Sequence, residues 1–126
     1  MTSFVFDTGA LFYAEDERLR PLVDRVQAGR ARGLLSSVTL SESYYKTCQK
    51  FGLDVAILWT RQLAERMEVV WPDLDLSISA GVEKCRNGRL SLANSYALAL
   101  ARRFNGVLLT TDSELAKTPK GRYLEV

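Results

Sequence analysis

The sequence predicts an α/β protein, a single three-layer α/β/α domain over residues 1–126 with a mainly parallel central sheet. Short β-prone apolar runs recur along the chain, and helical segments of roughly 10–15 residues separate them. No internal repeat, low-complexity stretch or linker composition interrupts the 126 residues, which is about one domain's length. Strands joined through helices come out parallel and need cover on both faces.

Phe4-Val5-Phe6 is the first apolar run, ended by Asp7-Thr8-Gly9, and reads as a buried strand with an acid at its carboxyl end. Ala10 to Tyr13 suits a short helix. Asp16 to Val26 sets Leu19, Leu22, Val23 and Val26 at helical spacing, with Asp16 as cap and Pro21 tolerable only in the first turn. Gly29 and Gly33 bracket the exit into a second strand, Leu34 to Val38. Thr39-Leu40-Ser41-Glu42 then offers a hydroxyl cap and an acid in the first turn of a helix reaching Phe51. Asp54 to Arg66 is amphipathic, with Val55, Leu58, Trp59, Leu63 and Met67 on one face.

Met67 to Trp71 is the third strand, closed by Pro72, and Leu74, Ile78, Val82 and Cys85 mark a helix that Asn87-Gly88 ends. Ser91 to Phe104 is the clearest helix, with Leu92, Ala93, Tyr96, Ala97, Leu100, Ala101 and Phe104 on one stripe and Asn105-Gly106 as its stop. Val107 to Thr110 follows as a continuous apolar strand, Ser113 to Ala116 as a helical turn, and Tyr123 to Val126 as an edge strand.

A 47% hydrophobic, 25% charged composition is that of a folded globule. Seventeen basic against fifteen acidic side chains give +2, too little to imply a polyanion or membrane partner by itself. The chain contains no histidine, which excludes a His-based triad, a His-ligated zinc and imidazole acid–base chemistry. Cys48 and Cys85 stand 37 apart without a CxxC pattern and read as two buried free thiols. An acid at position 7 leaves no cationic and apolar leader, and no run reaches the 18 or so apolar residues of a span, so a cytoplasmic protein without a membrane partner is expected.

In a parallel sheet, sites collect beyond the carboxyl ends of the strands. Asp7 follows the first strand, Glu42 lies early in the helix after the second, and Asp112 follows the fourth, with Glu114 two residues on. Each has an ordinary use as a turn or cap residue. Together, however, several carboxylates repel one another unless a cation neutralises them, and oxygen-only ligation suits Mg²⁺ or Mn²⁺. The chemistry implied is metal-activated water attacking a phosphodiester.

The segments FVFDTGALFYA, SSVTLSESYYK and RLSLANSYALALARRFNGVLLTTDSEL, with the spacing between them, resemble a PIN-domain ribonuclease, in particular the toxin-like (VapC-type) members of toxin–antitoxin pairs. The resemblance spans nearly the whole chain, and the block from Leu90 to Leu115 is its most specific part. It implies an acid cluster that binds Mg²⁺ or Mn²⁺ and hydrolyses RNA, a homodimer, and an antitoxin partner covering the acidic groove. Asp7 matches the family's first acid, Glu42 the second and Asp112 the fourth, with Glu114 as an auxiliary metal ligand.

The third position departs from the family pattern, because Asn94 stands where it usually has Asp. An amide brings no charge, so the cluster of Asp7, Glu42, position 94 and Asp112 falls from −4 to −3. Three accounts of this remain open: a degenerate enzyme, one in which Glu114 compensates, and an engineered substitution. Thr8 and Thr111 flank the acids and offer hydroxyls to orient them.

Between Val82 and Arg122 eight basic residues face three acidic ones, a local +5. Arg86 and Arg89, on either side of Asn87-Gly88, are the pair placed to meet an RNA backbone. Asn94 keeps a second class open, a catalytically inactive PIN-fold module that binds RNA or protein. A phosphatase with an Asp nucleophile is disfavoured because Gly9 stands where its second Asp belongs, and no GxGxxG supports a dinucleotide site.

Overall fold

The computed structural model describes residues 1–117 and the backbone of residues 121–123. In chain order its elements are β1 (Ser3–Phe6), α1 (Thr8–Phe12), α2 (Arg20–Gln27), β2 (Arg32–Ser36), α3 (Ser37–Phe51) and α4 (Leu53–Arg66). There follow β3 (Glu68–Val70), α5 (Leu74–Arg86), α6 (Leu92–Arg103), β4 (Val107–Thr110), α7 (Ser113–Ala116) and β5 (Gly121–Tyr123). The five strands form one sheet in the order β3-β2-β1-β4-β5, and every pairing is parallel.

Strand side chains alternate between faces, and the two cores follow that period. Val5, Leu34 and Leu108 pack under α5 and α6 with Leu76, Ala80, Leu98 and Leu100. Phe4, Phe6, Leu35 and Leu109 pack on the other face with Leu11, Leu19 and Leu63, joined by Val23, Trp59 and Met67. The expected α/β/α layering with a parallel sheet is therefore the observed architecture.

α6 is enclosed on nearly all sides, with Ala93, Ser95 and every residue from Ala97 to Ala101 buried. It lies against α5, α3 and strands β1, β2 and β4. Its small alanines allow that close approach, whereas Leu92 of the expected stripe is exposed in the first turn. At its other end Gly106 N–H donates to Ala101 O at 2.8 Å and Asn105 N–H to Arg102 O at 3.2 Å, with Asn105 at φ +48°. That double bond with a left-handed residue is the Schellman stop the Asn-Gly pair predicts.

Several boundaries and faces differ from expectation. Asp16 does not cap α2, because its carboxylate turns on Arg18, accepting from both its N–H and its Nε at 2.9 Å. The helix begins four residues later, with Pro21 in its first turn. Gly33 lies within β2, which ends at Ser36. Ser36 Oγ caps α3 by accepting from Thr39 N–H at 3.1 Å. The cap thus precedes Thr39, and Glu42 falls in the second helical turn.

Leu74, Ile78 and Val82 share a face of α5 as their spacing predicts, but that face is exposed, and Leu76 and Ala80 form the buried one. α4 likewise buries Ala56 and Leu63 while exposing Val55 and Leu58. Both cysteines are free thiols, but Cys85 is exposed and Cys48 only half-buried. No helix among the described residues is long and apolar enough to cross a membrane. The edge strand starts at Gly121, and Leu124 to Val126 lie outside the described residues.

Candidate active site

β2 and β3 lie on one side of β1, and β4 and β5 on the other. Such a reversal leaves a crevice outside the carboxyl ends of the two central strands. Asp7 stands directly after β1 and Asp112 two residues beyond β4, so the crevice is bounded by these acids. Phe6 pairs with Leu109, which sets Asp7 beside Thr110, and Asp7 N–H continues the ladder to Leu109 O at 3.1 Å.

Asp7 is only 3% exposed. Its Oδ1 accepts from Ala10 N–H at 2.7 Å and so caps α1, while Oδ2 accepts from the Thr110 hydroxyl. Thr110 Oγ1 in turn accepts from Asp112 N–H at 2.9 Å. Asp112 Oδ1 accepts from Glu114 N–H at 2.8 Å, and Oδ2 from Asn94 Nδ2 at 2.7 Å. Asn94 N–H donates to the Ser91 hydroxyl that caps α6, at 3.1 Å. One hydrogen-bonded chain therefore links Asp7, Thr110, Asp112 and Asn94.

Burial drives the Asp7 carboxyl above its ordinary value. The Thr110 hydroxyl and the Ala10 and Thr111 N–H groups oppose the rise, while the Asp112 charge adds to it. A cation at this position would reverse it. Gly9 allows α1 to start so close to β4, since a Cβ there would lie 1.8 Å from Thr111 Oγ1.

The other expected residues are placed differently. The hydroxyl bonded to Asp7 belongs to Thr110, not Thr111, because parallel register puts the last residue of β4 alongside Asp7. Thr111 contributes its N–H to Asp7, and its side chain abuts Gly9. Thr8 Oγ1 is buried and has no hydrogen-bond partner among the described residues. Glu42 faces Lys46 one turn along α3, at 3.7 Å.

Glu114 meets Lys117 Nζ at 3.2 Å and Arg89 at 3.5 Å. Lys117 first, then the Asn87 side chain and Arg89, hold its carboxyl below the ordinary range. Arg86 is exposed at the end of α5. Among the described residues no group of three or more acids or cysteines is gathered as a cation site. The expected four-acid cluster is thus a closely linked pair, Asp7 and Asp112, with Glu42 and Glu114 turned to basic neighbours. Trp59 is half-buried and packs against the core, donating from Nε1 to Ser43 Oγ at 2.8 Å.

The family model of the PIN domain matches residues 4–121. The chain belongs to the PIN domain family. Members of this family are typically nucleases. No curated protein matches the sequence.

Among solved structures, this PIN domain is similar to the DNA-bound VapBC of Salmonella typhimurium at 22% identity, over 98% of each chain, with a TM-score of 0.74. It is also similar to VapBC2 of Rickettsia felis bound to a DNA fragment from their promoter (17% identity, 98% of this chain and 100% of that one, TM-score 0.72). A third likeness is to VapC20 of Mycobacterium tuberculosis, a sarcin–ricin loop cleaving toxin (16% identity, 98% of each chain, TM-score 0.68). At these identities the likeness establishes a shared PIN fold.

Proposed function

We propose that this PIN domain is an endoribonuclease dependent on Mg²⁺ or Mn²⁺, the toxin component of a toxin–antitoxin pair, and that Asn94 slows it. The observation that carries the reading is the buried Asp7 carboxyl, linked through Thr110 to Asp112 at the sheet's switch point. The donors fit a hard cation, for Mg²⁺ commonly takes one or two carboxylates and completes its shell with water and phosphate oxygens. Asp7 and Asp112 would hold it, with Glu42 as a further oxygen donor by its motif position. When bound, the cation supplies activated water and charge neutralisation for phosphodiester hydrolysis.

The chain's own residues fix the geometry. The Ala10 N–H and the Thr110 hydroxyl each hold one oxygen of Asp7. The Glu114 N–H and the Asn94 amide do the same for Asp112. Asn94 offers Asp112 a neutral donor where an acid would add charge, so metal affinity and turnover both fall. Arg86 and Arg89 at the rim meet substrate phosphates.

An antitoxin peptide is the second partner, since several similar structures are VapBC toxin–antitoxin proteins. It would cover the acidic crevice, where an Arg suits the carboxylates, and rest apolar side chains in a 220 Å³ cleft lined by Phe12, Val23, Trp59 and Met67. A homodimer would cover the exposed stripe of Trp71, Leu74, Ile78 and Val82. The Asn94–Asp112 bond favours one alternative, an inactive module in which the amide takes the place of the cation.

Incubation of mixed single-stranded RNAs with Mn²⁺, Mg²⁺ or EDTA tests the reading, with Asp7→Ala as the control. Metal-dependent cleavage that Asp7→Ala abolishes supports the nuclease. RNA binding without cleavage under any metal moves the protein to the inactive module.

A further inference from the structure

Glu114, which the sequence aligns with the metal ligands, instead gathers positive groups. Lys117 Nζ lies 3.2 Å and Arg89 3.5 Å from its Oε1, and the Asn87 side chain also reaches the carboxylate. Both cations are open to solvent, with side-chain exposures of 69% for Lys117 and 80% for Arg89, while that of Glu114 is 24%. Exposed ion pairs of this kind are weak, so an incoming anion gives up little by displacing the Glu114 carboxylate.

The turn carrying Asn87 and Arg89 is fixed from beneath. Lys84 Nζ donates to Leu90 O at 2.7 Å and to Gly88 O at 3.3 Å, and Arg89 N–H donates to Asn87 Oδ1 at 3.1 Å. Arg89 therefore projects from an ordered turn rather than from a free loop. Glu114 also touches the candidate site directly, because its N–H holds Asp112 Oδ1 at 2.8 Å.

We infer that Arg89, Lys117 and the Asn87 amide form a binding subsite for a backbone phosphate of single-stranded RNA, and that the Glu114 carboxylate fills it until the phosphate displaces it. Two or three donors converging on one oxyanion are what a phosphodiester oxygen requires. Glu114 is then an internal competitor of the substrate rather than a metal ligand. The inference deepens the ribonuclease reading and shares its substrate class, but it concerns binding and needs no cleavage.

The test is fluorescence anisotropy of a labelled single-stranded RNA in EDTA across a salt series. It compares the parent chain with Glu114→Gln, with Arg89→Ala/Lys117→Ala, and with the triple variant. Glu65→Gln, on α4 before the opposite sheet edge, controls for the same change in net charge. Glu114→Gln should tighten binding about threefold, the size of an exposed ion pair. Its salt dependence should steepen by roughly 0.7 for each additional phosphate that the freed cations neutralise.

The cation-deleted pair should bind more weakly, and in that background Glu114→Gln should have no effect. Equal tightening by Glu65→Gln, or the same Glu114→Gln effect without the two cations, overturns the subsite. So does a failure of all the proteins to bind RNA. Calorimetric titration with Mn²⁺ checks the competing role, and a loss of metal binding in Glu114→Gln would return Glu114 to the ligands. Absence of cleavage with these binding differences intact would defeat the ribonuclease reading alone.

Discussion

Replacing Asn94 by Asp should turn a stabilising contact into a repulsive one until a cation is supplied. Asn94 Nδ2 donates to Asp112 Oδ2 at 2.7 Å, and the substitution puts a second carboxylate oxygen at that contact. A hydrogen bond to a charged group contributes about 1.5–3 kcal/mol. Two like charges relaxed to about 4 Å repel by ~1 kcal/mol in a water-like medium and ~4 kcal/mol at an effective dielectric near 20. Both residues are half-buried, so the lower ends apply, and the metal-free variant should lose roughly 2–3 kcal/mol.

For a chain of this size that is a fall in melting temperature on the order of 10 °C. A divalent cation at about a hundred times its Kd restores ~2.7 kcal/mol, close to the whole loss. The assay is thermal unfolding followed by circular dichroism, in EDTA and in Mn²⁺, with RNA cleavage measured in parallel. Asn94→Asp should melt lower than the parent in EDTA, gain more from Mn²⁺ and cleave faster. A variant as stable as the parent in EDTA, or one that gains no more from Mn²⁺, refutes the placement of a cation between Asp7 and Asp112.

Thr110→Val keeps the shape but removes a donor to Asp7 and an acceptor for Asp112 N–H. It should cost about 1–3 kcal/mol, read as a lower urea midpoint. Gly9→Ala puts a Cβ 2.9 Å from Thr111 Cβ as well as against its hydroxyl. It should lower stability by about 1–3 kcal/mol, read as an earlier thermal transition. Asp7, with its folded value above 3.8, binds its proton more tightly in the folded chain than in the unfolded one. Its contribution to stability is therefore full below the unfolded value and declines as pH rises through the folded value. In EDTA the parent should accordingly lose stability relative to Asp7→Asn over that rise, and parallel urea midpoints for the two proteins would contradict the buried charge.

The strands were legible wherever an apolar run ended in turn chemistry, as at Phe4 to Phe6 and Val107 to Thr110, and the Asn105-Gly106 stop appeared where expected. Helix starts were less so, because Ser36, Thr39 and Ser41 all qualify as caps and only the end of β2 decides among them. Helical period gave α5 its spacing without its orientation. Leu74, Ile78 and Val82 make as good an apolar face as Leu76 and Ala80, and packing against α6 selects the second. In the candidate site Asp7 and Asp112 could be read from their places after strands. Thr110 could not, since its role depends on the β1–β4 register, and neither could the meeting of Arg89 with Glu114, which joins distant segments.

The enclosure of α6 has a bearing on how this fold changes over generations. A helix buried from Ala97 to Ala101 opens only with the whole molecule, and its amides should be among the last to exchange with deuterium. Asn94 occupies the first turn of that enclosed helix, with its backbone N–H held by the Ser91 hydroxyl. A change between amide and acid there leaves that backbone bond in place while it exchanges a donor to Asp112 for a second negative charge. A single replacement at position 94 therefore resets the charge of the crevice without redrawing the backbone that carries it.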